Sequence, residues 1–128
     1  MLLRFVTETL DHRSGRRRGP FAAGKRLIQS GHLSAEDDDA LEALWGWFND
    51  NLQKPERLSL SARPHAKEQA LSWFKDTASE HITKMREFAE ILTRNDVPVS
   101  IIITTRPGYI IYEDKHQVCA YPFSDTPT

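Results

Sequence analysis

The stretch VSIIITTRPGYIIYEDKHQVCAYPF, Val99 to Phe123, decides the fold class. Val99 to Thr105 is dense in β-branched residues, which suit a pleated surface. Pro107-Gly108 fit the two central positions of a type II turn, where glycine supplies the positive φ. Tyr109 to Tyr112 reads as a returning strand, Glu113-Asp114-Lys115-His116 as a second turn, and Gln117 to Phe123 as a third strand. Strands joined by such short turns predict an antiparallel meander.

Upstream of it the pattern is helical. Between His65 and Asn95, residues Leu71, Phe74, Ala78, Ile82, Met85, Phe88 and Leu92 recur at helical spacing. An unbroken helix over that span would be about 46 Å long. It is therefore expected either to protrude or to kink or break near Asp76, where Thr77 and Glu80 offer a capping box. Leu58, Leu60 and Ala62 alternate with serines as a short edge strand or an extended linker. Ser34, with Asp37 three residues on, opens a helix whose stripe is Leu41, Leu44, Trp45, Phe48 and Leu52. Pro20 suits the first position of another helix, which Gly31 stops. At the start of the chain, Leu3, Phe5 and Thr7 alternate with Arg4, Val6 and Glu8 as a half-buried strand.

The predicted architecture is α+β. An antiparallel sheet of about four strands, the N-terminal strand plus the C-terminal meander, carries three helices on one face. A chain of 128 residues suits one domain. Residues 1–123 form it, and 124–128 are expected to fray. No apolar run approaches the roughly 20 residues of a membrane span. The lone Cys119 fits a reducing compartment, so a cytoplasmic protein is expected.

The near-neutral charge conceals a division. Residues 11–32 carry +5, residues 33–53 carry −6 and residues 54–67 carry +3. A net charge of −1 argues against a general polyanion coat. It leaves room for a local anion site in Arg13-Ser14-Gly15-Arg16-Arg17-Arg18-Gly19-Pro20. There a Gly-flanked loop meets a helix N-terminus, whose free N–H groups and dipole favour anions. Ser14 adds a hydroxyl, and Arg13, Arg16, Arg17 and Arg18 add forked donors suited to phosphate or carboxylate. A solvated loop paired with the acidic start of the next helix explains the same residues. The spacing is not that of a Walker loop.

Catalytic signals are sparse. Asp11, His12 and Ser14 lie too close together for a hydrolytic triad, which gathers distant segments. Glu113 and Asp114 at a hairpin end are the weak candidates for acid–base or Mg²⁺ chemistry, and turn formation also explains them. Cys119 reads as a buried thiol and His81 as a hydrogen-bonded core histidine. No two histidines share a helix face, and neither a metal nor a cofactor is expected. Tyr109, Tyr112, Tyr121 and Phe123 could stack bases, yet the RNA-recognition signature is absent. Trp47 and Trp73 stand off their helical stripes, which suggests a partner surface or a homodimer contact.

Four short segments carry a resemblance. They are Ser14-Gly15 with Gly19 and Phe21; Trp73-Phe74-Lys75-Asp76; Arg106-Pro107-Gly108-Tyr109 with Tyr112-Glu113-Asp114; and Gln117-Val118 with Pro122-Phe123. Together they resemble a family of small uncharacterised bacterial proteins over nearly the whole chain. The resemblance implies a bacterial cytosolic protein and carries no activity.

The functional expectation is a small non-enzymatic binding or regulatory protein. Its basic loop would take a small anionic ligand or an acidic protein partner. One alternative is an enzyme acting on a phosphorylated small molecule, with Glu113 and Asp114 near the loop. Another is a nucleic-acid accessory protein.

Overall fold

The structure, a computed structural model, describes residues 1–12, 14–53 and 69–128. The strand or linker expected at Leu58–Ala62 lies outside them, as do Arg13 and the first residues of the expected long helix. The described elements run β1 (Leu2–Val6), α1 (Pro20–Ser30), α2 (Ala35–Asn51), β2 (Leu71–Lys75), α3 (Ser79–Arg94), β3 (Ser100–Thr104), β4 (Tyr109–Glu113) and β5 (Gln117–Tyr121). Among the described residues this is an α+β fold of three helices and one five-stranded antiparallel sheet. No described helix is long and apolar enough to cross a membrane.

The helix ends follow their local chemistry. Pro20 opens α1 and Gly31 closes it at φ +70°. Ser34 caps α2 by accepting from the Asp37 N–H at 3.1 Å. The reciprocal half of the capping box does not form. The Asp37 carboxylate turns to Arg94 at 2.7 Å and Asn95 at 3.1 Å, binding α2 to the end of α3.

The expected helix from His65 is corrected at its centre. Leu71–Lys75 is β2, the middle strand of the sheet, and α3 begins only at Ser79. Adjacent Trp73 and Phe74 are both buried because they point to opposite faces of a strand covered on both sides. A two-sided strand shows no alternation, so its apolar run was compatible with helical spacing. Ala78 stands at the N-cap of α3, with no side-chain cap bond.

The expected meander is corrected as well. The sheet order is β3-β1-β2-β5-β4, so only β4 and β5 form a hairpin. Strand β3 pairs with β1 from Leu2↔Thr104 to Val6↔Ser100. Thr104 and Tyr109 therefore belong to opposite edges, yet full extension of the chain between them spans only about 18 Å. Four strand spacings in a flat sheet take about 19 Å, and the two residues also sit at opposite ends of their strands. The sheet must curl to bring its edges together. At the crossing the backbone passes so close that a Cβ on Gly108 would lie 2.0 Å from the Tyr121 carbonyl.

The helices cover one face. Phe5 and Phe74 pack there with Leu41, Leu44, Phe48, Met85, Phe88, Ile91 and Leu92. Helix α1 approaches α3 at Gly24, where a Cβ would meet the Phe88 ring at 2.4 Å. His81 lies in this layer, its Nε2 2.8 Å from the Asn51 carbonyl. On the other face Trp73 and Val118 are paired neighbours and both buried. The last residues return over the molecule instead of fraying. Thr126 is 7% exposed, and its hydroxyl donates to the Arg106 carbonyl and accepts from the Phe123 N–H.

Candidate functional site

The segment after β1 folds as an irregular hairpin. Thr7 N donates to Arg18 O, Arg18 N to Thr9 O, and Asp11 N to Arg16 O, each at 2.7–2.8 Å. At its tip Gly15, at φ +70°, donates to the Asp11 carbonyl. The Asp11 carboxylate accepts from the Ser14 N–H at 3.0 Å, and the Ser14 hydroxyl accepts from the Arg16 N–H at 3.2 Å. The amides of Ser14, Gly15, Arg16 and Arg18 and the Ser14 hydroxyl are thus engaged within the hairpin. They are not the open phosphate-type donors that the loop's composition suggested.

The guanidinium groups are another matter. Arg16 Nη1 donates to Thr128 Oγ1 at 3.3 Å, and Arg17 Nε donates to Thr128 O at 3.1 Å. A third arginine joins them from β1. Arg4 Nη1 donates to the same Thr128 oxygen at 3.2 Å, and its Nη2 donates to the Arg17 carbonyl. Arg4 is 7% exposed. Burial, together with the nearby charges of Arg17 and Arg16, pushes its pKa down to about 10. Among the described residues, no aspartate or glutamate side chain forms an ion pair with Arg4, Arg16 or Arg17. Two donors at the site are also idle: Arg16 Nε and Arg18 Nε are buried without an acceptor. Asp11 stands 3.8 Å from Arg18 Nε, too far for a hydrogen bond.

Beside the cluster lies a cavity of about 450 Å³, which Arg4 helps to line. It opens between β1 and β2, with walls from α1 and α2. The other expected site residues are elsewhere. Arg18 is in the hairpin but donates to no Thr128 atom, and Arg13 lies outside the described residues. Glu113 and Asp114 sit at the end of the sheet marked by Lys75, whereas the arginine hairpin leaves from the other end, at Val6. They do not work as a pair. Glu113 binds Lys75 Nζ at 2.6 Å, on the face shared with Val118. Asp114 closes its turn, accepting from Tyr112 Oη and from the His116 and Gln117 N–H groups at 2.8–3.0 Å. Burial pushes its pKa up, but those bonds, with the Gln117 side chain, outweigh burial and hold it below the usual value.

Trp73 and Trp47 do not form one surface. Trp73 is 1% exposed on the central strand. Trp47 on α2 is half-buried against Phe48 and His81, with Lys84 Nζ 5.8 Å from its ring centre. Cys119 is a buried thiol whose pKa burial pushes up, and its Sγ lies 2.9 Å from Ser72 Oγ. No hydrogen bond joins it to a described histidine. Among the described residues no three His, Cys, Asp or Glu side chains are grouped to hold a metal ion.

No protein-family model, no curated protein and no solved structure matches the chain. Two members of the site escaped the sequence reading. Arg4 carried one signal, a lone charge inside Leu2-Leu3-Arg4-Phe5-Val6. Thr128 carried none, because only the return of the chain brings it there.

Proposed function

We propose that this chain is a non-enzymatic binding protein whose arginine cluster takes the anionic group of a small ligand. One observation supports the reading: Arg4, Arg16 and Arg17 converge on Thr128, Arg4 and Arg17 on its backbone oxygen and Arg16 on its hydroxyl, with no aspartate or glutamate side chain among them. Arg16 Nε, buried without an acceptor, adds a donor that an incoming oxygen would satisfy. The fork of a guanidinium suits carboxylate and phosphate alike.

The surroundings favour a compact anion over a polyanion. Arg4 is enclosed, which suits a compact group and not an extended phosphate backbone. The enzymatic alternative loses support, since its two carboxylates stand at the far end of the sheet.

Thermal stability in phosphate, citrate, heparin and duplex DNA across a salt series tests the proposal. Phosphate or citrate should raise the melting temperature of the wild type and leave an Arg16→Gln/Arg17→Gln variant unmoved. A steep salt slope with DNA, flattened in that variant, would favour the nucleic-acid reading instead. No response to any anion would reject an anion site.

A further inference from the structure

The β1–β2 ladder holds only at Leu2↔Lys75 and Leu3↔Phe74. Beyond that point β1 stays with β3, and β2 stays with β5. The sheet therefore splits between Arg4–Val6 and Leu71–Trp73, and those facing edges have no strand-to-strand pairs. The 450 Å³ cavity occupies this split. Its volume falls within the range of about 300–1,000 Å³ common for small-molecule pockets.

Its walls are aromatic. Phe21 of α1, Trp45 and Phe48 of α2, and Trp73 and Phe74 of β2 all line it. Aromatic rings packed edge to face, such as Phe21 against Phe48 at 5.1 Å between centroids, make a firm apolar surface. Few polar groups join them, and two are already engaged. Ser72 is bonded to Cys119, and the Gln117 amide donates to Asp114. Asn49 and Gln53 also line it, and two further groups, on Trp73 and Arg4, bear on the ligand. The Trp73 Nε1–H is buried with no acceptor, on a side chain that is 1% exposed. A buried indole N–H normally finds a partner. Arg4 supplies positive charge where the cavity meets the arginine cluster.

We infer that the cavity in the split sheet binds a small aromatic carboxylate. Its ring lies among Phe21, Trp45, Phe48 and Phe74. Its carboxylate reaches the Arg4 guanidinium, and an acceptor oxygen meets the Trp73 indole N–H. The inference rests on the anion-binding reading and specifies the ligand for that site. The geometry calls for all three properties together. A bare inorganic anion would leave the apolar walls empty, and a neutral hydrocarbon would leave Arg4 and Trp73 unsatisfied.

The test is a titration of the ¹⁵N-labelled full chain with three probes: naphthalene-1-acetate, its neutral amide naphthalene-1-acetamide, and inorganic phosphate. The readouts are the three tryptophan indole N–H resonances, with Trp73 assigned by its absence in Trp73→Phe, and the melting temperature. The acid should move the Trp73 resonance downfield and raise the melting temperature. The amide should bind at least about tenfold more weakly, the loss of one charge-assisted contact. Phosphate should raise the melting temperature without shifting the Trp73 resonance. Arg4→Met should weaken the acid to the level of the amide. Ala70→Phe, which places a ring at the cavity wall, should abolish binding of both aromatics while phosphate still acts. Dispersed amide spectra will show that each variant is folded.

A phosphate response without any aromatic response at Trp73 would overturn this inference and leave the anion site standing. Equal binding of acid and amide would overturn the carboxylate class. Silence from all three probes would overturn both readings.

Discussion

Replacing Arg4 by methionine separates a binding site from a structural clasp. Burial and two cationic neighbours lower the Arg4 pKa from its ordinary value to about 10. At roughly 1.4 kcal/mol per unit, holding the charged form there costs on the order of 3 kcal/mol. Against this stand the hydrogen bonds to Thr128 O and Arg17 O, worth about 1.5–3 kcal/mol each as charge-assisted contacts. The bonds offset the cost and leave a net of about 0–3 kcal/mol in favour of arginine. Methionine keeps much of the apolar stem that arginine buries, so no large hole opens. Thr128 O also retains its bond from Arg17 Nε. Arg4→Met should therefore unfold in urea within about 3 kcal/mol of the wild type, no more than the low end of the 3–5 kcal/mol lost when one partner of a buried ion pair is removed. The anion response should vanish. At a hundred times its dissociation constant, phosphate stabilises a binding protein by about 2.7 kcal/mol. For a chain of this size that is on the order of 10 °C in melting temperature. The assay is paired urea and thermal melts of both proteins, with and without phosphate, followed by tryptophan fluorescence. A variant that loses well over 3 kcal/mol yet keeps the full phosphate shift would refute the reasoning. Arg4 would then be a strap for the end of the chain.

Gly24→Ala should destabilise by about 1–3 kcal/mol through collision with the Phe88 ring, exceeding the roughly 1 kcal/mol of helix propensity that alanine gains; a urea melt that shows net stabilisation would contradict the close α1–α3 crossing. Asp114 should contribute stability that is present above the ordinary carboxylate pKa and is lost as pH falls through its depressed folded value. Acid unfolding should therefore be less steep in Asp114→Asn, which should also lose about 1–3 kcal/mol at neutral pH as turn hydrogen bonds weaken. Cys119, buried with its thiol pKa raised by burial, should react with a disulfide reagent only as fast as the protein opens; labelling at the rate of a free thiol in native protein would disprove its enclosure.

The legibility of the fold follows how local each signal is. Ser34, Pro20 and Gly31 act on their own helix ends, and each was readable from a few residues. His81 was readable as a core histidine because it falls beside the stripe of α3. Strand β2 was not readable as a strand, because a central strand buries both faces and Trp73-Phe74 then looks like part of a helical run. The pairing of β3 with β1 was hidden for a related reason. Pro107-Gly108 permits a tight turn, but the register of Leu2–Val6 against Ser100–Thr104 is a long-range fact. At the candidate site, the arginine block was visible as charge, whereas its hairpin was not. Asp11 and Ser14 satisfy the loop amides that an anion was expected to meet. The most buried cation in the site came from β1, a strand whose alternation had assigned Arg4 to the wet face. The curl of the sheet and the returning end of the chain make that face an interior.

A clasp and a binding site would both place arginines around Thr128, so the discriminating atoms are those that the Thr128 contacts leave unsatisfied. A clasp is complete once its donors have acceptors. Here Arg16 Nε, Arg18 Nε and Trp73 Nε1 are buried without a hydrogen-bond acceptor; two are in the arginine hairpin and one is on a residue that lines the cavity. Only one other described side-chain atom shares that state: Asp38 Oδ1, an acceptor in the first turn of α2. Trp73 and the cluster member Arg4 flank the stretch where the β1–β2 ladder stops and the described strand edges stand apart. Unsatisfied buried donors weaken a fold, and a split sheet forgoes backbone hydrogen bonds. Both losses fall where an aromatic anion would restore what is missing. That coincidence favours a site over a clasp, because a clasp has no need of the split.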